Sequence, residues 1–147
     1  MSHMTLAVEE LNVIAQQALR KSGVSAASAA DTCAALMAAE QAGIASHGFA
    51  RLPFYLDQLD SGKLKPEAQP VVAARVNVGN VDADSGLAFP AVQQGLDCGI
   101  ALAQHSGIVA VAIRRAHHLG MAGYYAEQAA HQGLVCLALS NGPAAMA

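Results

Sequence analysis

The spacing of apolar residues is helical up to Gly62 and changes beyond it, and that change constrains the fold more than any other feature. Up to Gly62 the apolar residues recur at helical intervals. Leu11, Ile14, Ala15, Ala18 and Leu19 predict a first helix that stops at Gly23. Ser25 is placed to cap a second, with a stripe of Ala30, Cys33, Ala34, Met37 and Ala38, running out at Gly43. Leu52, Tyr55, Leu56 and Leu59 predict a third, in which Pro53 fits only the first turn. Lys63 to Pro70 is a polar, proline-containing connector. Beyond it the pattern turns β-like. Val71 to Val81 reads as two short strands with Gly79-Asn80 as their turn. A loop at Asp82 to Gly86 leads to a helix from about Pro90 to His105, closed by Gly107. Ile108 to Ile113 reads as a strand, Met121 to Gln132 as a helix and Leu134 to Leu139 as a further strand. The predicted class is α/β: an N-terminal helical segment over residues 5–66, then an α/β portion over 71–147. The last three elements predict a strand-helix-strand unit with a right-handed crossover.

Composition narrows the functional classes. The chain has 147 residues, 54% hydrophobic and 13% charged, too apolar for a disordered tail. A net charge of -3 with no Lys/Arg cluster argues against nucleic acid, and 4% aromatics without tryptophan argue against a base-stacking platform. No apolar run is long enough to span a bilayer, and none resembles a signal peptide. Cys33, Cys98 and Cys136 lie singly in apolar runs. They read as buried free thiols, which fits a reducing cytoplasm. Met1-Ser2-His3-Met4 resembles an expression remnant and is set aside. The chain stops soon after the turn signal Ser140-Asn141-Gly142-Pro143, with few strands to complete a sheet. Either it is an N-terminal fragment or it needs a partner.

Two stretches could carry chemistry. In Arg114-Arg115-Ala116-His117-His118-Leu119-Gly120, two imidazoles follow a strand and precede a helix, a junction where open α/β proteins often place their sites. A helix N-terminus there favours neutral imidazole, suiting His118 to proton transfer. In Ala45-Ser46-His47-Gly48-Phe49-Ala50-Arg51, a hydroxyl, an imidazole and a guanidinium lie near helix ends. Arg51 follows His47 by one turn and Tyr55 follows Arg51 by another, so all three can share a face. An arginine fork suits a carboxylate. From the residues alone, the histidine stretch reads more readily as a decorated turn, and the second stretch equally as a capped helix with a surface arginine. No nucleophile elbow, metal-ligand spacing, Gly-x-Gly-x-x-Gly or phosphate loop is present, so no metal site is predicted.

Three motifs, in order, resemble a known family. Ser46-His47-Gly48 with Arg51 and Tyr55 is similar to its first signature. His118-Leu119-Gly120-x-x-Gly123-Tyr124-Tyr125-Ala126 is similar to its second, and Ser140-Asn141-Gly142-Pro143-Ala144-Ala145-Met146-Ala147 to its third. The family is that of the malate/L-lactate dehydrogenases, which includes ureidoglycolate and sulfolactate dehydrogenases and Δ1-piperideine-2-carboxylate reductase. The resemblance runs from about Thr5 to Ala147 and covers only the family's N-terminal part. It implies a mixed-sheet, non-Rossmann nicotinamide-binding fold, usually homodimeric. It implies hydride transfer between NAD or NADP and C2 of a small 2-hydroxy acid, 2-oxo acid or cyclic imino acid. His118 would exchange the substrate proton. Ser46 and His47 would orient substrate and nicotinamide, and Arg51, helped by Tyr55, would hold the carboxylate. Asn141 and Gly142 would approach the cofactor, although Gly142 replaces the hydroxyl residue usual there. A chain this short is expected to bind nicotinamide weakly by itself. The alternative from another class is a catalytically silent piece that acts as an association module. A third reading is an acid-binding protein that uses Arg51 without redox chemistry.

Overall fold

The computed structural model describes residues 6–141. Three helices come first: α1 (Val8–Lys21), α2 (Ala26–Gln41) and α3 (Leu52–Asp60). Glu9 and Glu10 open α1 and Arg20 and Lys21 close it, which suits the helix dipole at both ends. The Ser25 hydroxyl caps α2 by accepting from the Ser28 N–H at 3.1 Å. The chain from α2 to α3 passes through two short 3₁₀ turns, Ala45–His47 and Phe49–Arg51. Pro53 sits in the first turn of α3, where no amide proton is missed.

The buried face of α2 differs from the expected one. Ala29, Thr32, Cys33, Leu36 and Ala39 are buried, whereas Ala30 and Ala34 are exposed. Alanine on every side leaves the sequence without a preferred stripe. Thr32 is tolerated inside because its hydroxyl donates to the Ser28 carbonyl at 2.7 Å. In α1, Ala15 and Leu19 are buried as expected, but Ile14 is 52% exposed.

Next come β1 (Val71–Arg75), β2 (Val78–Asp82), α4 (Ala88–Ser106), β3 (Ala110–Arg114) and α5 (Ala122–His131). β1 and β2 form an antiparallel hairpin in which Arg75 faces Val78, so the turn is Val76-Asn77. The expected turn at Gly79-Asn80 is therefore corrected. Gly79 lies within β2, where a Cβ would come within 3.3 Å of Val111 and 3.5 Å of Cys98. Its small size admits α4 over the sheet rather than a reversal of the chain. β3 pairs parallel to β2, giving a mixed sheet in the order β1-β2-β3. The parallel crossover thus runs through α4. Gly95 of α4 packs against Val81, Val111 and Ile113 of the sheet.

The strand expected over Leu134 to Leu139 does not form, and with it goes the expected crossover through α5. Val135, Leu137 and Leu139 are at least 83% exposed. An alternating run becomes a strand only beside a neighbour that accepts its backbone bonds, and among the described residues it has none. Of the three free cysteines only Cys33 is buried; Cys98 and Cys136 are partly exposed, which corrects their reading as buried thiols.

One core joins the two halves of the chain. Leu19, Leu36, Tyr55, Leu59 and Leu64 cluster with Leu87 and Phe89 from the start of α4. The connector is tied down as well. The Lys65 N–H donates to the Ser85 carbonyl at 3.0 Å, and its ammonium pairs with Asp84. No helix among the described residues is long and apolar enough to cross a membrane.

Candidate active site

The core brings the two histidine stretches together. α3 buries Tyr55 completely, edge-on to Phe89 at 5.3 Å between ring centroids. The Tyr55 hydroxyl emerges under His118, 2.9 Å from Nδ1. The Gly120 backbone N–H approaches the same nitrogen at 3.2 Å. Gly120 has φ +77°, and a Cβ there would lie 2.8 Å from the Phe89 ring. Only glycine allows both the left-handed turn and the close approach. His47 then meets His118 from the 3₁₀ turn, with ring centroids 5.4 Å apart.

The turn that carries His47 is locally bonded. The Ser46 hydroxyl lies 3.0 Å from His47 Nδ1. Arg51 Nε donates to the Ser46 carbonyl at 2.9 Å, and its guanidinium lies 5.7 Å from the centre of the Phe54 ring. Among the described residues no carboxylate pairs with Arg51, so its charge is open to an incoming anion. Gly48 N–H is bonded within the turn, and Phe49 N–H donates to the Glu40 carboxylate of α2 at 2.8 Å.

The segment leading to His118 is anchored at the strand ends. Asp82 of β2 pairs with Arg114 at 2.8 Å and with Arg115 at 2.7 Å. Hydrogen bonding to Arg115 holds the Asp82 carboxyl below the usual range. Arg115 has φ +51°, where the chain swings out of β3 towards the histidines.

This arrangement, on this fold, decides the family. The malate/L-lactate dehydrogenase family profile matches residues 6–147. The chain belongs to the malate/L-lactate dehydrogenase family. It is 48% identical over its whole length to a (2R)-3-sulfolactate dehydrogenase (NADP(+)) of Chromohalobacter salexigens, and covers 44% of that protein. It is 34% identical to a 2,3-diketo-L-gulonate reductase of Klebsiella pneumoniae, over 97% of this chain and 43% of the relative. The structure matches sulfolactate dehydrogenase from Methanocaldococcus jannaschii with a TM-score of 0.83 and 31% identity, over 88% of this chain and 38% of that one. The α/β fold with a mixed sheet is thus the N-terminal part of the family fold. The chain spans less than half the length of these relatives.

Within this family member the electrostatics separate the histidines. Burial, then the charges of Arg51, His47 and His117, lower the His118 pKa below its ordinary value. The sequence had assigned this effect to a helix N-terminus. However, α5 begins only at Ala122, and removal from water dominates. Burial also lowers His117, whose ring packs beside Phe54 and Tyr55 and whose Nδ1 has no hydrogen-bond partner among the described residues. The Tyr55 hydroxyl is pushed up to about 12 by burial and stays protonated near neutrality.

Ser46, His47, Arg51, Tyr55 and His118 therefore share one site. Asn141 is exposed beyond α5, and no hydrogen bond among the described residues joins it to the histidines. Gly142 lies outside the described residues. Sequence reading missed Glu40, the Asp82–Arg115 anchor and Phe89. Glu40 lies in the last turn of a long apolar helix and looks like an ordinary solvated end. The other three act through contacts that no local spacing announces.

Proposed function

We propose that this protein is the N-terminal part of an NAD(P)-dependent oxidoreductase acting at C2 of a small 2-hydroxy or 2-oxo acid. The observation that supports this most is the convergence of His47 and His118 beside the open guanidinium of Arg51. The favoured substrate is 3-sulfolactate, on the likeness to the Chromohalobacter protein. Cyclic imino acids are the next class, because a solved relative is the Δ1-piperideine-2-carboxylate reductase of Pseudomonas syringae.

Arg51 holds the substrate carboxylate through its fork. His118 accepts the hydroxyl proton at Nε2 during oxidation and returns it during reduction. Accepting at Nε2 requires the remaining proton on Nδ1, and the Tyr55 oxygen is placed to receive that N–H. The Gly120 N–H donates to the same nitrogen and favours the opposite tautomer, so the two contacts compete, and the proposed role requires that the Tyr55 contact prevail. A pKa lowered by burial keeps His118 neutral, and ready as a base, at pH 7.

The residues fit the nicotinamide end of a cofactor. The Ser46 hydroxyl and the His47 imidazole stand at the open rim with donor and acceptor capacity for a carboxamide. They would hold it, with Asn141 and Gly142 proposed to close on it from the chain's end. When bound, NAD or NADP takes up the hydride from C2 or supplies it. The stretches that would bind the rest of the dinucleotide are expected in the part of the relatives' length that lies beyond the share this chain covers.

The helical segment 5–66 and the sheet segment 71–147 act as one unit around this site. We place the protein in the cytoplasm, on its free thiols, and in a homodimer or a complex with the remaining family fold. The exposed Val135, Leu137 and Leu139 support that association, and they also support the second reading, a silent association module.

Turnover of 3-sulfolactate with NADP or NAD, followed by nicotinamide absorbance, tests the proposal. The chain alone is expected to bind cofactor weakly and to gain activity when the remainder of the family fold is supplied. No oxidation of any 2-hydroxy acid and no reduction of pyruvate, oxaloacetate or imino acids in that assembly would leave only the association reading.

A further inference from the structure

Glu40 lies in the last turn of α2 and reaches across to the turn that carries His47. Its Oε1 accepts the Phe49 N–H at 2.8 Å. Phe49 opens a 3₁₀ turn of three residues, too short to satisfy its own first amide. Gly48 is what lets the carboxylate in. A Cβ there would lie 2.6 Å from Glu40 Cδ and 2.8 Å from its Cγ. The other hydrogen bonds of residues 46–51 stay within the turn, reach back to Ile44 and Ala45, or run on to Leu52 at the start of α3. Among the described residues, the Glu40 bond alone ties this stretch to α2. It joins the turn midway between His47 and Arg51.

We infer that Glu40 is a positioning residue, whose carboxylate fixes the turn that aims His47 and Arg51 into the site. A bond from a backbone N–H to a carboxylate is stronger than a neutral one, and losing it strands a half-buried donor. Glutamine in its place keeps an acceptor but no charge. Alanine removes both. The inference rests on the proposed function for its effect on turnover, but not for its effect on the turn.

Two measurements on Glu40→Ala, Glu40→Gln and Gly48→Ala test it. In the first, E40A raises KM for 3-sulfolactate about tenfold, the equivalent of about 1.4 kcal/mol. Its kcat changes by less than about threefold, and E40Q stays near wild type. G48A, which pushes the carboxylate aside without removing it, behaves like E40A. In the second, NMR order parameters for residues 46–51 fall from about 0.85 in wild type and E40Q to below about 0.6 in E40A. An unchanged KM in E40A overturns the inference. So does a KM that rises only in step with a fall in unfolding temperature. If the wild-type chain, assembled with the remainder of the family fold, turns over no acid, the functional reading fails and the order parameters decide alone. A turn as rigid in E40A as in wild type then overturns the role of Glu40.

Discussion

The two imidazoles that meet in the site are held in opposite ways. His47 sits in a turn whose bonds come mostly from adjacent residues, with Ser46 at 3.0 Å from its Nδ1. His118 is held by Tyr55, far away in sequence, by Gly120, and by a chain exit that Asp82 and Arg115 anchor. A locally bonded histidine on a turn can adjust to a ligand. One locked from three sides keeps its orientation. The difference teaches that proton transfer belongs with His118 and orientation with His47, on the function proposed above.

The largest test of that contrast is paired substitution. His118→Ala is expected to lower kcat about 100- to 10,000-fold, the usual worth of a positioned acid-base group. His47→Ala should lower kcat by less than about tenfold and mainly raise the KM for cofactor. Steady-state kinetics with both substrates varied would expose a reversed order, which would exchange the two roles.

Arg51→Lys comes next. It keeps the charge but loses the fork, so KM for the carboxylate is expected to rise about 10- to 100-fold, in line with about 1.5–3 kcal/mol for bonds to a charged group. An unchanged KM would remove Arg51 from the carboxylate.

Tyr55→Phe sharpens the contrast from below. The Gly120 N–H then holds Nδ1 bare, and Nε2 carries the proton it should accept. A fall in kcat of about tenfold is expected, the lower part of the range for losing acid-base function. Nitrogen-15 shifts should show the His118 proton moving to Nε2. The same shifts in wild type and variant would show that Tyr55 does not select the tautomer.

The smallest effect is on stability against pH. The folded pKa of His117 and His118 lies below the unfolded value of about 6.5. The unfolded chain therefore binds more protons in the interval between the two. Their contribution is fully present above about pH 6.5 and is lost as pH falls through the folded values. Unfolding temperature should drop on acidification, and the slope should flatten in a double variant with asparagine at both positions. An equal slope in the double variant would assign the acid sensitivity elsewhere.

Parts of this fold were legible residue by residue. Ser25 announced a cap and became one, and Pro53 marked a first turn and occupies it. The spacing of Tyr55 and Leu59 gave the buried side of α3. These signals are local, and a single turn of helix contains the whole reason. The family motifs around Ser46, His47, Arg51 and His118 were legible too, because glycine and histidine stand at fixed short intervals. The rotation of α2 was not legible, because its alanines make every face apolar. Nor was the place of Gly79, since a glycine beside asparagine signals a turn unless another helix needs the space. Leu134 to Leu139 has a strand's alternation but no paired neighbour among the described residues.

By itself, then, the sequence determined roughly where helices begin and end, that the class is α/β, and which family motifs the chain carries. Only the tertiary structure decided that His47 and His118 meet, that Tyr55 stands behind His118, and that Glu40 holds the turn. Caps and short motifs depend on neighbours a few residues apart. Burial, which moves the pKa of His118, and the pairing of strands depend on residues that approach one another only when the core closes.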